Sequence, residues 1–528
     1  MTTSRRSFVK TLGATGVALA TSDLMADLVA QTPRGRVLES RFKGLADVAL
    51  AEAKRLGCSY ADIRFTRNIT DSVAVRDRIV TDGFGFGGRG RNESAGFGVR
   101  VIHGGVWGFA SSPTVSEDDI RQTTRLAAEV ARASGIARSS DVTLTPVEPY
   151  VDHWAVPIEK DPFEVPLDEK IAFLLKVTEA VLENKDVIRA QASMAFDFEW
   201  KYLATSEGSY LEQEIWRTAP TFTAIARKGG RVKSRTFIVP PRTAGYEVVE
   251  QGGMLEQAAR IADEAAAHCA APSVGTGERD LILTPSHAML TIHEIVAHPT
   301  ELDRIVGYEA NYAGTSFIRL QDVGSLRMGS TLFNVTADRT MPGGMCTVGY
   351  DDDGVKTMSW PLVREGILVG LQTNRETAHL MGESRSTACT FASSWRNFPF
   401  LRMPNVHVEA GPPGSPTPEE IIADTKDGIL IDGRGSYSID QQRYNGQFGG
   451  DAFFEVKNGR ITGMVSDVTY NAITHEFWGN LDAISGPESW QMYGTTGDAK
   501  GQPVQINHPS HGAPTCRIKG VMVGAAFD

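Results

Sequence analysis

The sequence predicts an α+β protein: an α/β N-terminal half followed by a large β-rich, barrel-like C-terminal domain. Three observations carry that expectation. Before residue 275, apolar residues recur at helical spacing in several windows, with alternating segments between them. Beyond Leu320, glycines and short alternating runs dominate and few helical patterns remain, which is how a large antiparallel sheet or barrel reads. At 528 residues the chain exceeds the size at which one hydrophobic core stops growing, so two or three domains are expected.

Residues 1–30 read as an export signal. Ser4-Arg5-Arg6-Ser7-Phe8-Val9-Lys10 sets paired arginines ahead of an apolar, small-residue run from Leu12 to Ala20, too short to span a bilayer. The arrangement resembles the twin-arginine signal of bacteria, an address read by a receptor rather than an anchor, and implies a periplasmic or extracellular protein. After Gln31 no apolar stretch approaches the roughly 20 residues a spanning helix needs, so no transmembrane anchor is expected once the signal is cleaved.

An N-terminal α/β domain is expected over 36–142, with an amphipathic helix at 38–56, strands at 61–66 and 72–81, and a second helix at 116–133. The glycine-rich stretch 83–98 contains a formal G-x-G-x-x-G at Gly83, Gly85 and Gly88, but it runs into a strand. A phosphate cradle needs a helix amino end facing the anion, so this stretch reads as a mobile hairpin loop. A central α/β domain over 143–275 opens on a proline-containing linker, 143–166. Helices at 167–183 and 254–271 then enclose β-rich segments at 221–226 and 236–239. The β-rich domain, 276–528, starts with a strand at 281–283 that leads into the helix carrying His293, and one further helical run falls at 418–427.

Composition limits the partners. Hydrophobic content of 41% and charged content of 22% are those of a globular protein. A net charge of −11, with no basic stripe, argues against a nucleic-acid partner. The five cysteines (Cys58, Cys269, Cys346, Cys389 and Cys516) are odd in number, widely spaced and without a C-x-x-C pair. They are not a disulfide framework and read mostly as small buried hydrophobes.

The chemistry concentrates in His293-Glu294-Ile295-Val296-Ala297-His298. Two imidazoles can bind a divalent metal, and the adjacent glutamate can take a proton from the attacking water. In the common H-E-x-x-H pattern the histidines are four apart and share a helix face. Here they are five apart, which on a regular helix turns the second ring about 140° away. Either a π-bulge restores the alignment, or His298 lies past the helix end ahead of Pro299. Both predict a break near Ala297.

The segment continues as Pro299-Thr300-Glu301-Leu302-Asp303-Arg304 and Gly307-Tyr308-Glu309-Ala310-Asn311-Tyr312. This run resembles the signature region of the TldD/PmbA family of zinc-dependent peptidases, in which H-E-x-x-x-H supplies two metal ligands and the general base. Tyr60-Ala61-Asp62, Gly96-Phe97-Gly98, Tyr437-Ser438-Ile439-Asp440, Glu476-Phe477-Trp478, Lys500-Gly501-Gln502-Pro503 and Ser510-His511-Gly512 resemble further family landmarks in the expected order. The resemblance implies Zn²⁺ as cofactor, with His293 and His298 as ligands and Glu294 as base. It implies unfolded or short peptides as substrate, and a homodimer or a heterodimer with a second family subunit.

One departure stands out. Complete family members place a third zinc ligand, a cysteine, just before the Lys-Gly-Gln-Pro type segment, and here that position is Asp498. Two histidines and one carboxylate form an established catalytic zinc set, and an all N/O set also admits other divalent metals. Asp498 is therefore the expected third ligand. Glu301, His508 and His511 are alternatives and Cys516 a weaker one, while Glu301 also fits a role orienting an imidazole. The leading expectation is a metallopeptidase. The alternative is a non-catalytic partner subunit of such a peptidase, which the missing cysteine would mark.

Overall fold

One long sheet runs through the first half of the chain. Val187–Thr205 lies at its centre between Tyr60–Arg76 and Tyr210–Lys228 and is antiparallel to both. Arg231–Ile238 pairs beyond Tyr210–Lys228, while Asn92–His103 and then Val106–Ser112 follow Tyr60–Arg76 on the other side. The segments 36–142 and 143–275 thus contribute to one continuous sheet. The computed structural model describes residues 36–86 and 88–525, and the expected export signal lies outside them.

Helices cover this sheet in two apolar seams. Arg41–Arg55 and Glu117–Ser134 bury Phe42, Ala46, Ile120, Ala127 and Ala131 against Phe65, Phe97 and Val99. Gly108 permits the close approach, since a Cβ there would sit 2.0 Å from the Ala127 carbonyl oxygen. Leu167–Val181 and Met254–Ala270 bury Leu174, Val177, Ile261 and Ala265 with Met194, Phe196 and Phe222. These helices fall where their apolar periodicity places them.

The strands differ more from expectation. The two expected at 61–66 and 72–81 are one strand, Tyr60–Arg76, followed by Ile79–Asp82. The polar stretch between them stays extended because it is paired on both sides, Asn68 with Ser94 and with Glu199, while the Asn68 and Thr70 side chains line a cavity of about 740 Å³. In the expected linker, Val151–Ala155 adds itself parallel to Tyr210–Lys228. Around the glycine motif Phe84–Gly85 pairs with Gly88–Arg89 and a strand follows, in keeping with a hairpin and not a phosphate cradle.

The C-terminal half closes a five-stranded barrel. Gly277–Leu283 pairs parallel with Asp427–Ile439, followed in order by Asn445–Lys457, Val468–Ile473 and Cys516–Ala525. Cys516–Ala525 returns to Gly277–Leu283 and completes the ring. A smaller sheet of Val335–Asp338, Ser359–Arg364, Ile367–Leu368 and Asn405–Val408 packs into the same apolar cluster. Buried ion pairs join the halves: Arg100 reaches Asp62 and Asp353, and Lys201 reaches Asp352 at 3.0 Å. All five cysteines are free, and four are buried. No described helix is long and apolar enough to cross a membrane.

Candidate metal centre

The site begins where the barrel strand Gly277–Leu283 hands over to the helix Pro285–Ile292. Pro285 occupies the first helical position, where its missing N–H costs nothing. Thr284 and Ser286 both donate to Asp432 Oδ1 (2.7 and 2.6 Å), fastening the helix start to Asp427–Ile439. His287 spans Gly433 O and the Tyr470 hydroxyl at 3.0 and 2.8 Å.

The helix then widens into a π turn over His293–Ala297 and tightens to a 3-10 turn over His298–Thr300. Of the two arrangements the spacing allowed, the π turn is adopted, because His298 keeps helical angles (φ −59°, ψ −45°) despite Pro299. The rings of His293 and His298 consequently converge, with centroids 4.6 Å apart. The change of turn frees carbonyls that must be satisfied. Thr300 Oγ1 is shared between Val296 O and Ala297 O, and Gln372 Nε2 donates to Ala297 O at 2.6 Å.

Asp498 arrives from the far end of the chain, on the short strand Asp498–Lys500 paired with Gln505–Asn507. Arg402 Nη2 donates to both its carbonyl oxygen (2.7 Å) and Oδ2 (3.1 Å). Oδ1 is left facing the imidazoles, 3.9 Å from His293 Nε2 and 3.6 Å from His298 Nε2. The ligand-type atoms of His293, His298 and Asp498 all lie within 4.8 Å of one another, and the three side chains are buried.

Hydrogen bonds on the far side of each ring settle the tautomers. His511 Nδ1 lies 3.0 Å from Val406 O, and a carbonyl only accepts, so that nitrogen carries the proton. His511 Nε2 then accepts from His293 Nδ1 at 2.8 Å, leaving His293 Nε2 with its lone pair toward Asp498. His298 Nδ1 donates to Glu301 Oε2 at 2.9 Å, which frees its Nε2 in the same way. Glu301 thus lies where it orients an imidazole. His511 also stands behind a ring, its Nε2 engaged by His293. Neither falls within the His293–His298–Asp498 group.

The electrostatics agree with this assignment. Burial, then the charges of His298 and His511, holds the His293 imidazole well below its usual range, and burial with Arg304 lowers His298. Burial raises Asp498, but Arg402 and the two histidines outweigh it and keep the carboxyl well below ordinary values. Two neutral imidazoles and an ionised carboxylate are the donor set a divalent cation takes, so the residues present fit the metal. Glu294 is different. It is buried, no described group donates a hydrogen bond to it, and burial followed by the Asp498 charge pushes it up to about 8.

Glu301 and Asp303 are not surface charges. Lys500 Nζ donates to Glu301 Oε1 (2.8 Å), Asp303 Oδ1 (2.9 Å) and Leu401 O (3.0 Å), and Arg304 also binds Glu301. His508 is directed elsewhere, to Thr496 O at 3.0 Å and the edge of Phe86, lining the 740 Å³ cavity. Cys516 pairs with Leu283 and Ile484 inside the barrel, where burial pushes its thiol up to about 12. Neither belongs to the His293–His298–Asp498 group.

A cleft of about 440 Å³ opens on the cluster, lined by His293, Glu294, His298 and Asp498 and across from them by Tyr437 and Arg443. Sequence reasoning missed Arg402, Arg443 and the part Lys500 plays. Lys500 stands in a landmark segment, which was a usable signal. The two arginines carry no local pattern that marks them.

Comparison with known proteins agrees across the chain. Sequence models of the PmbA/TldA metallopeptidase family match residues 61–131 (domain 1), 160–268 (central domain) and 276–525 (C-terminal domain). A metalloprotease of Methanocaldococcus jannaschii is 25% identical over 436 residues, 81% of this chain and 89% of its own. A zinc metalloprotease TldD homolog of Saccharolobus solfataricus is 24% identical over 90% of this chain and 98% of its own. The crystal structure of TldE from Thermococcus kodakarensis shares the fold, with a TM-score of 0.68 and 16% identity over 91% of this chain and 99% of that one.

Proposed function

The chain belongs to the TldD/PmbA metallopeptidase family, and from that premise we propose that it hydrolyses unfolded or short peptides with a divalent metal held by His293, His298 and Asp498. The observation that carries this reading is the convergence of two unprotonated Nε2 atoms and one carboxylate oxygen on a single buried point beside an open cleft. When bound, the metal, Zn²⁺ in the first instance, supplies Lewis acidity to a peptide carbonyl and to water.

The protein's own groups do the rest. Glu294 stands beside the ligand His293 and lines the same cleft, where its carboxylate is placed to take a proton from water and return it to the leaving amine. His511 and Glu301 hold the two rings in the tautomer that offers Nε2. Arg402 keeps Asp498 ionised and fixes which oxygen faces the cleft. The proposal extends to export through residues 1–30, supported by the paired arginines, and to pairing with a second family subunit, supported by the fold shared with TldE.

Elemental analysis alongside cleavage of a fluorogenic peptide tests the reading. The purified chain is expected to bind about one metal ion and to cleave. Glu294→Gln should keep the metal and lose roughly 10²–10⁴-fold in turnover, the contribution typical of a positioned base. Metal binding near zero in the wild type would favour the non-catalytic partner, and turnover surviving Glu294→Gln would remove that residue from the mechanism.

A further inference from the structure

Arg443 sits in the turn that joins two barrel strands, Asp427–Ile439 and Asn445–Lys457, directly on the cleft of the metal centre. It is 6% exposed, yet no ion pair joins it to any described carboxylate. Of the nine other buried arginines, eight meet at least one acidic side chain, Arg100, Arg304 and Arg402 among them, and the exception, Arg339, does not line the cleft. Burial with the Arg304 charge outweighs Glu301, Glu294 and Asp440, which act on Arg443 only from beyond ion-pair distance; a buried guanidinium without a direct partner is expensive.

The surroundings make the vacancy specific. Arg443 Nη1 donates to Gln441 O at 3.0 Å, while Nε is buried with no partner. The nearest acid on its own turn, Asp440, is occupied with backbone, accepting from the N–H groups of Gln442 (2.9 Å), Tyr444 (3.0 Å) and Asn445 (3.1 Å). The turn holds Arg443 at φ 57°, a conformation that a side-chain-bearing residue rarely adopts. Gly314 leaves room for the guanidinium, since a Cβ there would lie 2.4 Å from Nη1. Strain and desolvation held together at one cleft residue are what a recognition element costs. A second cation, Arg434, lines the same cleft above the Tyr437 ring.

We infer that Arg443 forms a carboxylate-recognition subsite in the cleft, so that peptides presenting a carboxylate close to the scissile bond are preferred. The guanidinium fork matches a carboxylate in plane, which an amide or a hydroxyl does not. The carboxylate is either the free α-carboxylate of a peptide's end or an acidic side chain within it. This subsite rests on the peptidase reading for its catalytic consequence but not for its binding.

The test uses three labelled peptides of one sequence: a free acid, its C-terminal amide, and that amide with one internal Gln replaced by Glu. Cleavage (kcat/KM) and binding by fluorescence anisotropy are measured on the metal-loaded wild-type chain, Arg443→Gln and Arg443→Lys. At least one carboxylate peptide should exceed the neutral amide by about tenfold or more in both measurements. That ratio should collapse toward one in Arg443→Gln and fall to an intermediate value in Arg443→Lys. Preference for the free acid identifies terminal recognition, and preference for the Glu peptide identifies an internal acidic residue. Equal treatment of all three peptides by the wild type overturns the subsite however the variants fold, as does a preference that survives Arg443→Gln. Binding preference without any cleavage would leave the subsite standing and sink the peptidase reading, whereas cleavage without preference would do the reverse.

Discussion

Asp498 faces two ways, one oxygen to Arg402 and the other to the imidazoles, and the two contacts separate under substitution. Asp498→Asn keeps the volume and an acceptor for Arg402 but removes the charge that a cation needs. On the proposed reading it lowers metal affinity by about 100-fold or more, measured by competition with a chromophoric chelator, at a smaller cost in stability than Asp498→Ala. The alanine variant strands Arg402 in the interior, for which losses of about 3–5 kcal/mol are typical. An asparagine variant that held metal as tightly as the wild type would exclude Asp498 from the ligand set. His293, Glu294 and His298 were picked out by one short pattern of fixed spacing and Asp498 through the family resemblance, and the structure brings the four to one cleft. Arg402 and Arg443 were not legible. Their roles come from where folding places them, and a lone arginine in a sequence says only that a cation is present.

At the scale of elements, helices announced themselves and long strands did not. The periodicity of Met254–Ala270 or Glu117–Ser134 survives because one face of each helix is apolar along its length. Tyr60–Arg76 is interrupted in sequence by polar residues whose strand character is fixed by partners far away, such as Asn68 opposite Glu199. The break near Ala297 was legible from the spacing of two histidines, although only the structure chose the π turn. The element carrying that turn has its own sensitivity to acid. His287, buried in Pro285–Ile292 between Gly433 O and the Tyr470 hydroxyl, is lowered by burial to about 4. Its pKa in the folded chain lies below the unfolded value near 6.5, so the stability it contributes is complete above that pH and is lost as pH falls toward 4. The full shift is worth about 3 kcal/mol. Denaturation midpoints followed from pH 7 to pH 4 should fall for the wild type, and His287→Gln should show a shallower fall over the same window. Parallel curves for the two proteins would show that His287 does not titrate on unfolding.

For the whole molecule, the proposed metal centre is a tie between sequence-distant parts of one half of the chain. His293 and His298 come from the helix at the barrel's start, Asp498 and His511 from the last strands before its closure, and Arg402 from the connection that leads into Asn405–Val408 of the small sheet. The N-terminal sheet does not take part. It docks through Arg100 and Lys201 onto 352–353, a separate ionic seam. That separation was invisible in the sequence, where nothing distinguishes a carboxylate serving a seam from one serving a site. It has a measurable consequence. A ligand that binds only the folded chain stabilises it by about 3 kcal/mol at a hundredfold excess over Kd, so stripping the metal should lower the melting temperature by roughly 3 °C in a chain of this length. The loss should be local. Hydrogen exchange with and without chelator is expected to show protection falling over 293–301 and 498–511 and staying unchanged over 187–228. Asp498→Asn should be indifferent to chelator at concentrations that shift the wild type. If chelator loosened the N-terminal sheet as much as the cluster, or left both untouched, the cation would not be holding these two ends of the barrel domain together, and the proposed ligand set would fall with it.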